Sequence, residues 1–327
     1  MVWFWVAVLA ISVLLYVLLD GFDLGVGILF GFAREEPRQD AMMSAVAPVW
    51  DGNETWLVVA GVVLWGAFPL VYSILLSAFY LPVLLMLAGL ILRGVAFEYR
   101  HKAQSMRWIW SVSFAGGSLL AAFMQGVMVG ALVEHLPVSD GRYAGTMFGW
   151  LSPFPVLCGV GLCVGYALLG ACWLVLKSDG EVRESAYGLI PYLAMSLLAC
   201  LIIVFCFALI ENLPVMTRWL HRPYLFVFPL IGALAAIVLA VSVHRRRDGP
   251  PFLMVAIAFA AAFSTFAISF WPYIIPFQIT IQEGAAPHSS LAFMFWGEGL
   301  FVFPLMLLYT ATNLTVFRGK VDRTARY

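Results

Sequence analysis

Four carboxylic acids stand where a hydrocarbon environment makes charge costly. Asp20 and Asp23 lie inside the first long apolar run. Asp51 and Glu54 open the second, in the stretch Pro48-Val49-Trp50-Asp51-Gly52-Asn53-Glu54-Thr55-Trp56-Leu57. Ionisable side chains within a membrane segment, or at its edge, mark ion or proton routes, substrate sites or partner contacts. Spacing of i, i+3 puts Asp20 and Asp23 on one helix face. Arg93, Glu98 and Arg100 add charge at the end of the third run. Three consecutive helices thus focus carboxylates at one face, with an arginine to neutralise one of them. The chemistry such a set offers is proton relay through bridging water, which needs groups that exchange protons and no nucleophile. The competing reading is an ion-pair network that locks three helix ends together.

The elements that must hold these residues are membrane helices. Residues of the AVILMFWYC set make up 63% of the 327-residue chain, charged residues only 11%, and the mean hydropathy is +0.96. A soluble domain is about a quarter charged, so this composition indicates an integral membrane protein. Nine apolar runs, at 3–31, 54–72, 77–97, 111–133, 153–176, 187–210, 224–243, 252–273 and 292–317, are long enough to cross a core of about 30 Å. A turn near Tyr72 and Ser73 is expected between the second and third. Fourteen of the 18 Lys and Arg fall in alternate loops: Arg34, Arg38, Arg100, Lys102, Arg107, Lys177, Arg183, Arg245, Arg246, Arg247, Arg318, Lys320, Arg323 and Arg326. The other side holds only Arg142, Arg218 and Arg222. This bias places the N-terminus in the periplasm and the C-terminus in the cytoplasm, as an odd number of spans requires. The expected fold is all-α, polytopic, with about nine transmembrane helices in a single integral membrane domain over 1–327. With neither a basic leader nor a small-residue cleavage site, the first run is expected to be a retained span. Segment 35–47 is amphipathic and is expected along the cytoplasmic surface. Glycines at 21, 25, 27 and 31 form Gly-x-x-x-Gly pairs that permit close helix approach.

Other residue types narrow the chemistry by their placement. Net charge is zero, so no basic field invites nucleic acid. The five cysteines, Cys158, Cys163, Cys172, Cys200 and Cys206, lie in apolar runs without Cys-x-x-Cys spacing and read as packing residues. His101, His221 and His288 fall in loops, and His135 and His244 at span ends, whereas membrane haems take axial ligands from within helices. No phosphate-binding loop or metal-ligand triad is present, so neither a metal site nor a redox centre held by this chain alone is expected. Glu298 is placed within the ninth run, as a partner contact or a helix-dipole partner. Trp3, Trp5, Trp65, Trp108, Trp110, Trp219 and Trp271 read as an interfacial belt.

The motifs Asp20-Gly21-Phe22-Asp23-Leu24-Gly25-Val26-Gly27 and Pro48 to Leu57, with Arg93-Gly94-Val95-Ala96-Phe97-Glu98-Tyr99-Arg100 and Phe295-Trp296-Gly297, resemble the second subunit of bacterial cytochrome bd-type ubiquinol oxidases. The resemblance covers essentially the whole chain, and the compact length is similar to the cyanide-insensitive branch. It implies a haem-free subunit of the bacterial inner membrane, partnering a subunit I that carries haems b and d. The complex it implies oxidises quinol and reduces dioxygen to water with cytoplasmic protons. The residues matching the implied proton path are Asp20, Asp23, Trp50, Asp51, Arg93 and Arg100, and Glu54 and Glu98 join them by position. A structural quinone, small accessory subunits and membrane lipid are further implied companions. Two other classes fit intramembrane acids: a proton-coupled secondary transporter, for which no inverted repeat or broken midplane helix is evident, and a purely structural scaffold subunit.

Overall fold

Prolines and glycines set most of the helix boundaries. The structure, a computed structural model, describes residues 1–103, 105–211 and 213–320; Arg323 and Arg326 of the basic tail lie outside the described residues. Helix α1 (Val2–Phe30) runs without a proline and stops at Gly31. A short helix α2 (Glu36–Ser44) has Pro37 in its first turn and occupies the segment expected at the surface, burying Met42 and Met43. Next come α3 (Trp50–Ala67), α4 (Pro69–Ala78), α5 (Tyr80–Arg100) and α6 (Arg107–Glu134). The second half holds α7 (Pro153–Lys177), α8 (Gly180–Ile210), α9 (Pro214–Leu220), α10 (Val227–His244) and α11 (Gly249–Phe270). After these follow α12 (Ile281–Gly284), α13 (His288–Met294) and α14 (Val302–Val316). Two small antiparallel hairpins, β1–β2 (Val138–Ser139 with Arg142–Tyr143) and β3–β4 (Tyr273–Ile275 with Ile279–Thr280), decorate loops.

Eight helical segments among the described residues are long and apolar enough to span a membrane, and a ninth is counted if the bent α3–α4 pair is one span. Two expectations need correction. The turn after the second run does not fall at Tyr72 and Ser73, which sit inside α4. It falls at Phe68, where α3 and α4 meet at 120°, and again at Phe79. Pro69 lacks an N–H and crowds the residue before it, so Phe68 leaves helical geometry (φ −135°, ψ 58°) and a new helix starts. The ninth run is likewise interrupted. Phe295–Gly299 forms a wide π turn, with Leu300 N–H donating to the Phe295 carbonyl at 2.9 Å.

Without water to drive burial, these helices are held by close packing. A Cβ at Gly25 would overlap the Tyr166 carbonyl, and one at Gly170 the backbone of Gly25, so α1 and α7 touch backbone to backbone. Gly89 and Gly117 do the same for α5 and α6. Around these contacts Phe22 stacks on Trp173 at 3.9 Å, and Phe114 meets Phe30 and Phe97 edge to face. The basic loops converge at one end. Arg38 bonds Ser185, Arg183 and Lys320 reach Asp248, and Lys177 donates to the Phe317 carbonyl. At the other end Trp3 stacks on Trp271. The aromatic belt is only partly as expected: Trp3, Trp65, Trp108 and Trp271 are exposed, but Trp5 and Trp219 are buried, because their indole N–H groups bond the Leu291 carbonyl and Ser269.

Candidate proton site

The carboxylates of the first span meet a guanidinium of α5. Arg93 is 0% exposed, and its Nη1 stands 2.6 Å from Asp20 Oδ1. That contact is a charge contact off hydrogen-bond alignment, since neither oxygen of Asp20 has an aligned donor among the described residues. Arg93 Nη2 donates to Glu54 Oε2 at 3.2 Å. One turn along α1, Asp23 accepts from Asn53 Nδ2 at 2.8 Å, while its Oδ1 is buried without a donor among the described residues. Two carboxyl groups, those of Asp20 and Glu54, therefore share one guanidinium, and Asp23 stands beside them on Asn53. Glu54 is the member that reaches outward, with 26% of its side chain exposed.

The helices set this geometry. Asp20 and Asp23 point from one face of α1, as their spacing requires, toward α5 and α3. Arg93 lies seven residues before Arg100, about 10 Å deeper along α5. Deeper still, Gln125 of α6 links two phenols: Tyr166 O–H donates to its Oε1 at 2.9 Å, and its Nε2 donates to Tyr16 at 2.8 Å. Tyr16 is one turn before Asp20 on α1, so the polar thread continues inward from the acids.

The remaining residues singled out from the sequence are placed differently. Asp51 is exposed at the start of α3 and makes no side-chain hydrogen bond or ion pair among the described residues. Trp50 stacks flat on Phe97, 4.8 Å between centroids. Arg100 is buried but belongs to an outer cluster. It bonds Asp40, Gln39 Oε1 at 2.9 Å and Ser111 at 2.9 Å, and thereby ties α2 to α5. Arg107 completes that cluster with Glu36 at 2.9 Å and Asp40 at 3.3 Å. Glu98 faces outward and pairs with Lys102. Glu298 is exposed on the π turn. Asn53, Asp40, Gln125, Tyr16 and Tyr166 were missed. For all but Asp40, which lies on the amphipathic α2, the signal was a polar atom in an apolar run, which must find a partner when buried.

Among the described residues no group of three His, Cys, Asp or Glu side chains is placed to hold a metal ion. The histidines lie at helix ends or in a loop. His101 and His135 cap α5 and α6, His244 ends α10, His288 begins α13, and His221 lies in a loop.

Residues 1–317 match the family model described as cytochrome bd terminal oxidase subunit II. The chain belongs to that family. It is therefore a subunit of a respiratory oxidoreductase complex, the cytochrome bd ubiquinol oxidase. Subunit 2 of the Escherichia coli K12 cytochrome bd-I ubiquinol oxidase is 29% identical over 98% of this chain and 94% of its own length. Subunit 2 of the Bacillus subtilis cytochrome bd ubiquinol oxidase is 24% identical over 97% and 96%. In fold, the bd oxidase structure from Geobacillus thermodenitrificans aligns with a TM-score of 0.76 at 17% identity, covering 95% of this chain and 96% of that one. The family accounts for the multi-pass helical architecture and implies a subunit I partner that carries haem, with quinol and dioxygen as substrates of the complex.

Proposed function

We propose that this chain is the haem-free subunit of the oxidase and that its inner cluster is the cytoplasmic proton entrance for dioxygen reduction in the partner. The observation that supports this most is the continuous series from Glu54, partly exposed, through Arg93 to fully buried Asp20. Asp51, exposed at the same end of α3, takes protons from water, and Glu54 passes them inward. Asp20 and Asp23 hold them beside Arg93. A proton handed among these carboxyls leaves the charge of the set unchanged, which avoids the penalty for isolated charge in low dielectric. Trp50, stacked on Phe97, walls the entrance. Arg100, through Asp40 and Gln39, fastens α2 beside it, and Glu98 forms its outer rim. Haems b and d, held by the partner, supply the electron transfer and oxygen chemistry.

In this reading the arginine-rich end faces the cytoplasm of a bacterial inner membrane, with the N-terminus periplasmic and the C-terminus cytoplasmic. Residues 1–327 form one membrane domain. A structural quinone, accessory small subunits and lipid complete the assembly, and nucleic acid has no place in it. The test is Asp23→Asn and Asp51→Asn in the intact complex. Oxygen consumption falls about tenfold or more, as loss of one relay site raises a limiting barrier by about 1.4 kcal/mol or more, with haem content kept. Full turnover in both variants removes the relay. Loss of haem instead makes the acids structural.

A further inference from the structure

Only three basic residues belong to the loops opposite the arginine-rich end, and two of them, Arg218 and Arg222, line one cavity. Its volume is about 430 Å³, and its walls include Arg218, His221, Arg222, Pro272, Tyr273 and Phe277. It lies where α9 and the 3-10 turn before α10 meet the β3–β4 hairpin that follows α11. That is the level at which three spans end.

The site is rigidly framed on one side and unsatisfied on the other. Arg218 donates to the Trp271 carbonyl and stands 6.0 Å from the centroid of the Phe277 ring. Beneath it, Trp219 is buried and donates to Ser269 at 2.7 Å, pinning α9 to α11. The Arg222 side chain makes no hydrogen bond or ion pair among the described residues, and no carboxylate there pairs with either guanidinium. Neighbouring acids of that end are engaged elsewhere: Glu283 with Thr280 and Glu134 with Ser152. Glu211, just after α8, pairs with neither arginine. Burial and then the charge of Arg222 weaken the hold of Arg218 on its own proton, the mark of cations left facing each other. Charge bias across the membrane disfavours arginines at this end, so a retained pair has a local reason.

We propose that this cavity binds a phosphate group, carried by an anionic phospholipid or present as the free ion. Planar guanidinium forks match phosphate oxygens two at a time, and the Tyr273 hydroxyl on the cavity wall supplies a further donor. The lipid source has room for its chains. From the same end of α10, Val227, Leu230, Leu234 and Val238 are exposed at helical spacing and form an apolar strip leading away from the cavity.

The experiment titrates the intact oxidase complex and its Arg222→Gln and Arg218→Gln/Arg222→Gln variants by native mass spectrometry. The probes are short-chain phosphatidylglycerol, phosphate-free diacylglycerol of the same chain length, and inorganic phosphate. Phosphatidylglycerol binds the wild-type complex about tenfold or more tighter than Arg222→Gln, while diacylglycerol does not distinguish them. Inorganic phosphate binding that is lost in the variants assigns the free ion as well; its absence assigns the lipid headgroup. Equal phosphatidylglycerol affinity in wild type and variants, or diacylglycerol binding as tightly, overturns the proposal. The Arg222 side chain has no hydrogen bond or ion pair among the described residues, so the single variant tests the site even if the double fails to assemble.

Discussion

Arg93 is the only cation of the inner cluster among the described residues, and replacing it by glutamine tests whether the cluster is one electrostatic unit. It touches Asp20 at 2.6 Å and Glu54 at 3.2 Å with no exposure. Removing one partner of a buried ion pair costs about 3–5 kcal/mol, because the surviving charge stays buried and unpaired. Arg93→Gln therefore destabilises by that order. Asp20→Asn destabilises less, since Arg93 keeps its bond to Glu54. The double variant removes the orphaned charge along with the cation, so its loss falls short of the sum by about 1–3 kcal/mol, the coupling expected of groups in contact. Equilibrium unfolding in mixed micelles with rising sodium dodecyl sulfate, followed by tryptophan fluorescence, reads all three. Losses that add within about 0.5 kcal/mol would refute the reasoning. Arg93 and Asp20 would then be neighbours and not partners.

Packing and the outer charges give two further outcomes. Gly25→Val forces α1 from the Tyr166 carbonyl, costs well over the about 1–3 kcal/mol of ordinary overpacking, and lowers the yield of folded protein in membranes. Gly61→Ala, with nothing within 4 Å, leaves that yield unchanged. Asp248 accepts from Arg183, Tyr187 and Lys320, and chiefly Arg183 holds its carboxyl down to about 2 from the ordinary 3.8. A lowered native value means stability that is present above about pH 4 and is lost as pH falls toward 2. For so solvent-exposed a network this is worth about 1 kcal/mol or less. Unfolding at pH 5 and pH 3 should show a smaller difference in Asp248→Asn than in wild type; an equal difference assigns the acid sensitivity to another group.

The span count and the shared face of Asp20 and Asp23 were legible because each rests on a length or a period. Helix bends were less so. Pro69 was visible, but the apolar run continues past it to Tyr72, and hydropathy alone does not register a 120° turn. Of the residues read from the sequence, the structure brings Asp20, Glu54 and Arg93 together, sets Asp23 on Asn53, and leaves Asp51, Glu98 and Arg100 apart. Asp51 and Asn53 are two residues apart on α3, and the helix turns the acid outward and the amide toward Asp23. Charge patterning favours the acid because it is blind to rotational phase, which is fixed only by the neighbouring helices. Arg93 and Arg100 look equivalent in sequence, yet seven residues of rise deliver one to Asp20 and the other to Asp40 on the surface helix.

The burial of Arg93 also bears on how the chain is made. An arginine within a span raises the free energy of insertion, by about 2.5–3.5 kcal/mol at the centre and by less toward an end. Its counter-charge lies on α1, which leaves the ribosome four helices earlier. The acid is thus waiting in the bilayer when the base arrives. Order of synthesis and electrostatics then work together, and a permuted chain that emitted α5 first would face the insertion barrier with no partner in place.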